Sequence, residues 1–381
     1  MQTFRAALVV CILCAMISGA SGYGQTRARR KSTRPAAANR ELSPSDQIDR
    51  LVEARVRKLA IPGYSLAVIS KDVVILQKGY GFSDTKSEQP VTPNTVFGLA
   101  SITKTFTALA LLMLVDDGKV KLDSPLKDYL PGLSPSWRKL TLRQLASMTA
   151  GVPKCASPAL SWPEEMRKLE EEPLASPAGT QFLYSNCSYR VIGSVIERVT
   201  GQTYVEFLRS RVLGPLGMLD TGPTDRSFEP PIATPYGRNA DGQSVPLPGY
   251  KDTAINFSAG MLASNTIDLA RYARALAAHR LISPKSFDLL WKTRPELASR
   301  EKPDWAFGWA SQVIGGHLRV SMNGDLPGVA STIIIFPDDK LIVIGLANIG
   351  GPAAHELTRS VASVALGGDA GVIDEAGTES F

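Results

Sequence analysis

Strand-like runs crowd the two ends of this chain and helical spacing fills its middle, a division that admits few folds. Near the front, Tyr64–Ser70 and Val73–Lys78 flank a short turn at Lys71–Asp72 and read as a hairpin. Far downstream, Leu318–Met322, Val329–Phe336 and Leu341–Ala347 repeat the pattern, with the turn residues Pro337–Lys340 between the last two. Between these ends, Ile102–Asp117, Leu142–Met148, Trp162–Glu171, Tyr189–Thr200, Tyr204–Leu213 and Thr266–Ala278 carry helical periodicity, punctuated by Gly118, Gly201 and Gly217. Two further helices, Ser43–Ala60 and Ala353–Leu366, bracket the strands. Strands at both ends around a helical middle predict one antiparallel sheet built from both ends, an α/β (α+β) architecture. Residues 41–366 then form one catalytic-sized domain, its α/β part at about 41–100 and 291–366 and its helical part at about 101–290.

The extremities follow different rules. Arg5 precedes Ala6–Ile17 (AALVVCILCAMI), an apolar run of 12 residues. A bilayer span needs roughly 20 residues. Small residues from Ser18 to Gly22 offer a cleavage site after Ala20 or Gly22, so residues 1–22 are expected to be a secretory signal peptide. An uncleaved anchor is the alternative reading. Cleavage would leave no transmembrane anchor and place the protein in a periplasm or outside the cell. Residues 23–40 are a basic linker holding Arg27, Arg29, Arg30, Lys31 and Arg34. The linker accounts for much of the net charge of +6, so that charge does not argue for a nucleic-acid partner. Residues 367–381 are Gly-, Ala- and acid-rich and read as a loose tail. Removal of the signal takes away Cys11 and Cys14 and leaves Cys155 and Cys187, either as one disulfide or as two thiols.

Three histidines, at 279, 317 and 355, stand in no metal spacing and offer no Ser-His-Asp arrangement. Hydrolytic chemistry would need another base. Ser101-Ile102-Thr103-Lys104 opens the most apolar helix of the chain, continued as TFTALALLMLVDD. Ser101 sits where backbone N–H groups are unpaired, and Lys104 lies one turn on, on the same face. A serine hydroxyl becomes a nucleophile when a nearby base takes its proton, and a buried lysine loses enough basicity to do so. The bare spacing also occurs at Ser83–Lys86, Ser136–Lys139 and Ser299–Lys302, which read as chance matches in polar turns or loops. Ser101 as a simple helix cap, with Lys104 reaching solvent, is the competing account. Tyr184-Ser185-Asn186 brings a phenol and an amide in a loop before a helix, suited to proton transfer and substrate orientation. Met322-Asn323-Gly324-Asp325-Leu326-Pro327-Gly328 ends a strand, and the N–H after Gly324 could join that of Ser101 as an oxyanion hole.

These pieces, in this order, resemble the serine β-lactamase and penicillin-binding-protein superfamily, in particular its branch of class C β-lactamases, D-alanyl-D-alanine carboxypeptidases and related esterases. The resemblance runs through IPGYSLAVIS, TPNTVFGLASITKTFTALALLMLVDDGKVKLDSPLKDYLP, LTLRQLASMTAGVP, YSN, SAGMLASNTIDLARYARAL, NGDLPGVAS and FPDDKLIVIGLAN. It implies an antiparallel sheet of five or more strands with helices on both faces, a helical subdomain, and an active site between them. Ser101 would be the acylated nucleophile, Lys104 the residue that lowers its proton affinity, and Tyr184 with Asn186 the second motif. Asn323, Gly324 and Asp325 would line the substrate, with the N–H groups of Ser101 and Asp325 as the oxyanion hole. No cofactor or metal is implied. The substrate would be a small ester or amide or a cell-wall peptide, and the chain is expected to be a monomer.

One position departs from the pattern. The third motif begins with Lys or His in the superfamily, and here the matching residue is Met322. A thioether cannot hold a substrate carboxylate as a cation does. A serine hydrolase acting on esters or peptides with an uncharged recognition group is therefore expected ahead of an efficient β-lactamase. A β-lactamase or carboxypeptidase proper, or a non-catalytic peptidoglycan-binding member of the fold, are the alternatives.

Overall fold

The Lys71–Asp72 turn sets how the sheet begins. Both residues adopt left-handed φ values, 50° and 64°, the geometry a two-residue hairpin loop asks for. The turn joins β1 (Gly63–Ser70) to β2 (Val73–Asp84). The computed structural model describes residues 42–155, 162–225, 230–248, 256–299 and 303–368. β2 runs six residues past its expected end at Lys78, through Gly79 and Gly81. Gly79 continues the strand because the Val91 backbone crosses it: a Cβ there would lie 2.1 Å from the Val91 carbonyl oxygen. The short β3 (Gln89–Pro90) pairs with the far end of β2.

The remaining strands come from the other end of the chain: β4 (Ala310–Ile314), β5 (His317–Leu326), β6 (Val329–Phe336) and β7 (Leu341–Ala347). Together they form a seven-stranded sheet in the order β3-β2-β1-β7-β6-β5-β4, antiparallel at every pairing. The two ends of the chain meet at β1 and β7, from Tyr64 opposite Ala347 to Ser70 opposite Leu341. β1, β6 and β7 are buried along almost their whole length. Both faces of these strands are covered, which explains their unbroken apolar character.

One face carries α1 (Pro44–Lys58) and α5 (Pro352–Ala365). Ser43 caps α1 by accepting from the Asp46 N–H at 3.2 Å. Ile48 and Val52 of α1 and Leu357 and Val361 of α5 share one core with Leu66, Val68, Ile334 and Val343. The other face meets the helical part. There Ala67, Ile69, Ile333 and Ile344 join the core of α2 (Thr103–Asp116), α3 (Asn186–Thr200) and α4 (Thr266–Ala277). α2 is buried from Thr103 to Leu114 on every side.

Several elements differ from the sequence expectation. α3 starts at Asn186 instead of Tyr189, so Asn186 belongs to the helix and not to the loop before it. The helix expected over Tyr204–Leu213 is α-helical to Leu208 and continues as a π turn over Arg209–Leu213. Helix Pro284–Trp291 and strand β4 were not foreseen; each is short, and β4 leads into the Gly315–Gly316 turn that reads as a breaker. The expected signal peptide at 1–22, the expected linker at 23–40, Cys11, Cys14 and all but the first two residues of the expected tail lie outside the described residues. Among the described residues no helix is long and apolar enough to cross a membrane.

Candidate active site

Ser101 is the middle residue of a 3-10 turn, Ala100–Ile102, that leads directly into α2. Ala100 has φ 45°, a left-handed conformation for a residue with a side chain, and is buried. Such strain persists only where the surroundings hold it, and here it presents Ser101 at the mouth of the buried helix. Lys104, one turn on, is fully buried. Its Nζ donates to Ser101 Oγ at 2.9 Å and to the Ala259 carbonyl at 2.8 Å. Both acceptors are neutral oxygens. Burial alone then pushes the Lys104 ammonium down to about 7.

Tyr184 completes the cluster. Its hydroxyl donates to Ser101 Oγ at 2.9 Å, and Lys104 Nζ lies 5.1 Å from its ring centre. Burial pushes the phenol up to about 12; the negative charge of Asp325 adds to the rise and the bond to Ser101 opposes it. Trp305 meets the Tyr184 ring edge-on at 5.6 Å and is anchored by its own N–H to the Ala146 carbonyl at 3.0 Å. The loop before Tyr184 is stitched to the segment after helix Leu142–Ala146. The Leu183 N–H donates to the Met148 carbonyl at 2.8 Å, and Ser185 Oγ donates to the Pro153 carbonyl at 2.7 Å. Cys155 and Cys187 are joined by a disulfide with Cα atoms 5.4 Å apart, just beyond these contacts.

The third wall is the tip of β5. Its pairing with β6 runs from Val320–Ile335 to Leu326–Val329 without a shift, so the stretch expected to leave the sheet after Met322 stays in it. β4 covers β5 only as far as Ser321. Among the described residues, Met322 to Leu326 therefore present a free edge on that side. Counting back from the two-residue turn Pro327–Gly328, antiparallel alternation turns the Asp325 N–H toward this edge. Gly324 is pressed against the nucleophile turn: a Cβ there would stand 2.2 Å from the Leu99 carbonyl oxygen and 3.0 Å from the Ser101 nitrogen. Ser331 Oγ donates to the same Leu99 carbonyl at 2.7 Å. The structure thus brings Ser101, Lys104, Tyr184 and the backbone of Gly324–Asp325 together.

Other expected site residues make no hydrogen bond to Ser101 or Lys104. Asn323 pairs with Thr332 on the strand face opposite Met322 and Gly324, so its side chain points away from Ser101. Asn186 is exposed, and no hydrogen bond joins it to Ser101 or Lys104. Met322 is nearly buried in the same apolar cluster against which Tyr184 packs. The two nearby cationic side chains of the same strand do not replace it: His317 bonds Asp339 at 2.9 Å and Arg319 bonds Gln312, both from the other strand face. Ser83, read as lying in a turn, sits within β2 and donates to the Gln89 carbonyl, so its spacing to Lys86 is accidental.

The family model described as beta-lactamase matches residues 48–366. The chain belongs to the beta-lactamase family. Protein flp of Staphylococcus aureus is 28% identical over 332 residues, which cover 82% of this chain and 65% of that protein. The Unguisins hydrolase ungD' of Aspergillus campestris is 28% identical over 338 residues, covering 80% and 62%. The match thus spans a little under two thirds of these curated relatives. Among solved structures, the octameric penicillin-binding protein homologue from Pyrococcus abyssi superposes with a TM-score of 0.75 at 24% identity, over 86% of this chain and 78% of that one. SurE superposes equally, with a TM-score of 0.75 at 25% identity, over 86% and 77%. Within this beta-lactamase-family site, sequence reasoning missed Ala259, Ala100, Ser331 and Trp305. Ala259 acts through a carbonyl and Ala100 through its φ, neither of which leaves a mark on residue identity. Trp305 is an isolated tryptophan that only the fold brings to Tyr184.

Proposed function

We propose that this chain is an exported serine hydrolase that passes through an acyl-enzyme on Ser101. The observation that carries the reading is the pair of 2.9 Å hydrogen bonds that Lys104 and Tyr184 direct at one hydroxyl. Burial favours the uncharged form of both groups, which makes Lys104 the base and Tyr184 the acid near neutral pH. Ser101 Oγ attacks the carbonyl carbon of an ester or amide as its proton passes to Lys104 Nζ. The carbonyl oxygen takes negative charge opposite the N–H groups of Ser101 and Asp325. As the tetrahedral species collapses, Tyr184 protonates the departing alcohol or amine and recovers a proton from Lys104. Water then attacks the acyl-enzyme, giving its proton to the same pair, and Ser101 leaves reprotonated.

The nearly buried Met322 shapes the substrate. An acyl or leaving group without a carboxylate suits a third motif that begins with the thioether of Met322, which favours an esterase or peptidase over an efficient β-lactamase. One relative is named as a hydrolase of unguisins, which supports hydrolysis. Export agrees with the disulfide, since such bonds persist in oxidising compartments. The test is incubation with a fluorophosphonate and with penicillin, mass mapping, and turnover of p-nitrophenyl esters, nitrocefin and D-Ala-D-Ala peptides by wild type and Ser101→Ala. An adduct at Ser101, with ester turnover lost in Ser101→Ala, is the expected result. Absence of any adduct under conditions that label an active serine hydrolase would overturn the reading.

A further inference from the structure

Behind the β5 tip lies a buried titratable group that the reaction as described leaves unused. His355 stands near the start of α5 and is 5% exposed. Its Nε2 lies 2.9 Å from both carboxylate oxygens of Asp325. Its Nδ1 lies 2.6 Å from Thr332 Oγ1 on the neighbouring strand. With the proton on Nε2, the ring donates to the carboxylate and accepts from the threonine hydroxyl, so both nitrogens are satisfied. The half-exposed Asp325 is held by this buried ring from behind the sheet.

Asp325 is also the residue whose N–H faces the free edge beside Ser101. Its backbone and its carboxylate belong to one residue, so the carboxylate lies within a few bond lengths of any oxyanion at that N–H. Left unpaired, the negative charge would oppose the oxyanion, and the carboxylate would be free to swing toward it. We infer that His355 is a positioning residue for the oxyanion hole: it clips the Asp325 side chain to Thr332, steadies the strand tip that carries the Asp325 N–H, and holds the carboxylate charge on the far face of the sheet. This inference rests on the acyl-enzyme reading above.

The test is steady-state kinetics on a p-nitrophenyl ester with His355→Leu, His355→Gln and the double variant His355→Leu, Asp325→Asn. Losing an oxyanion donor costs roughly 100- to 1000-fold in kcat. Misaligning one while leaving it present is expected to lower kcat about 10- to 100-fold, with KM within about 3-fold. His355→Gln keeps a donor toward Asp325 and should recover part of the loss. The double variant, with no carboxylate charge left to shield, should recover more activity than His355→Leu alone. Melting temperatures of all three separate this effect from unfolding, and His355→Gln and the double variant keep the test open if His355→Leu folds poorly. Unchanged kcat in a folded His355→Leu, or a loss that neither second variant relieves, would overturn the inference. Wild type labelled at Ser101 alongside such a result would leave the acyl-enzyme reading standing. No label on wild type would remove both.

Discussion

Lys104 carries the sharpest consequence of burial in this molecule. Its ammonium is pushed down to about 7 with no carboxylate bonded to it. If the free amine is the working base, kcat/KM for an ester should rise about tenfold per pH unit up to pH 7 and then level off. Stability should follow the same group. Between about pH 7 and the ordinary lysine value near 10.4 the unfolded chain binds more protons, so stability falls as pH drops through that window and is flat below it. Lys104→Met should abolish that slope in denaturant titrations and lower turnover at least 1000-fold; a retained slope would assign it to another group. Met322 yields the complementary expectation. Met322→Lys restores a cation on the strand face of Gly324 and should speed acylation by penicillin about 10- to 100-fold, the worth of one charge-assisted hydrogen bond. Acylation within about 3-fold of wild type would show that the missing cation is not what limits β-lactam turnover. Ser101, Lys104 and Tyr184 were legible in the sequence because their chemistry lies in their side chains. The Ala259 carbonyl that receives Lys104 was not, because a backbone oxygen is present at every position.

Elements were legible where one interaction dominates them. The buried interiors of β1, β6 and β7 and the all-round apolar α2 are written in runs of Ile, Val and Leu. The tip of β5 was not, since Asn323-Gly324-Asp325 has little strand propensity. It stays in the sheet because β6 pairs it residue by residue and because Gly324 lets it lie against the Ser101 turn. The nearest atoms to the missing Cβ of this glycine belong to the protein itself. Gly324→Ala should push the strand off the turn, lower stability by about 1–3 kcal/mol as overpacking does, and reduce kcat on an ester about 100-fold or more. Differential scanning calorimetry and ester kinetics read the two effects separately. An alanine variant with native melting temperature and turnover would mean that the turn and the strand are not in register as described.

At the scale of the whole molecule, the sheet closes only when β1 meets β7, so the helical part is held between two chain ends that must come together. That much followed from the placement of strand-like runs. The disulfide did not, because two cysteines 32 residues apart carry no record of distance in space. In the folded chain it ties the segment after Met148 to the first turn of α3, and Tyr184 lies between those two anchors. Closing a loop of this length removes unfolded-state entropy worth about 4 kcal/mol. Spread over a domain of this size, that corresponds to a melting temperature roughly 5 °C lower after reduction. The same change should act on catalysis, because the wall that aims Tyr184 at Ser101 loses one of its two anchors while the Ser185 and Leu183 hydrogen bonds remain. A Cys155→Ser, Cys187→Ser variant should therefore fold, melt earlier and lose kcat by severalfold with KM little changed. A thiol count on denatured, unreduced protein comes first. Two free thiols in protein recovered from an oxidising compartment would remove both the stability argument and the support that the bond lends to export.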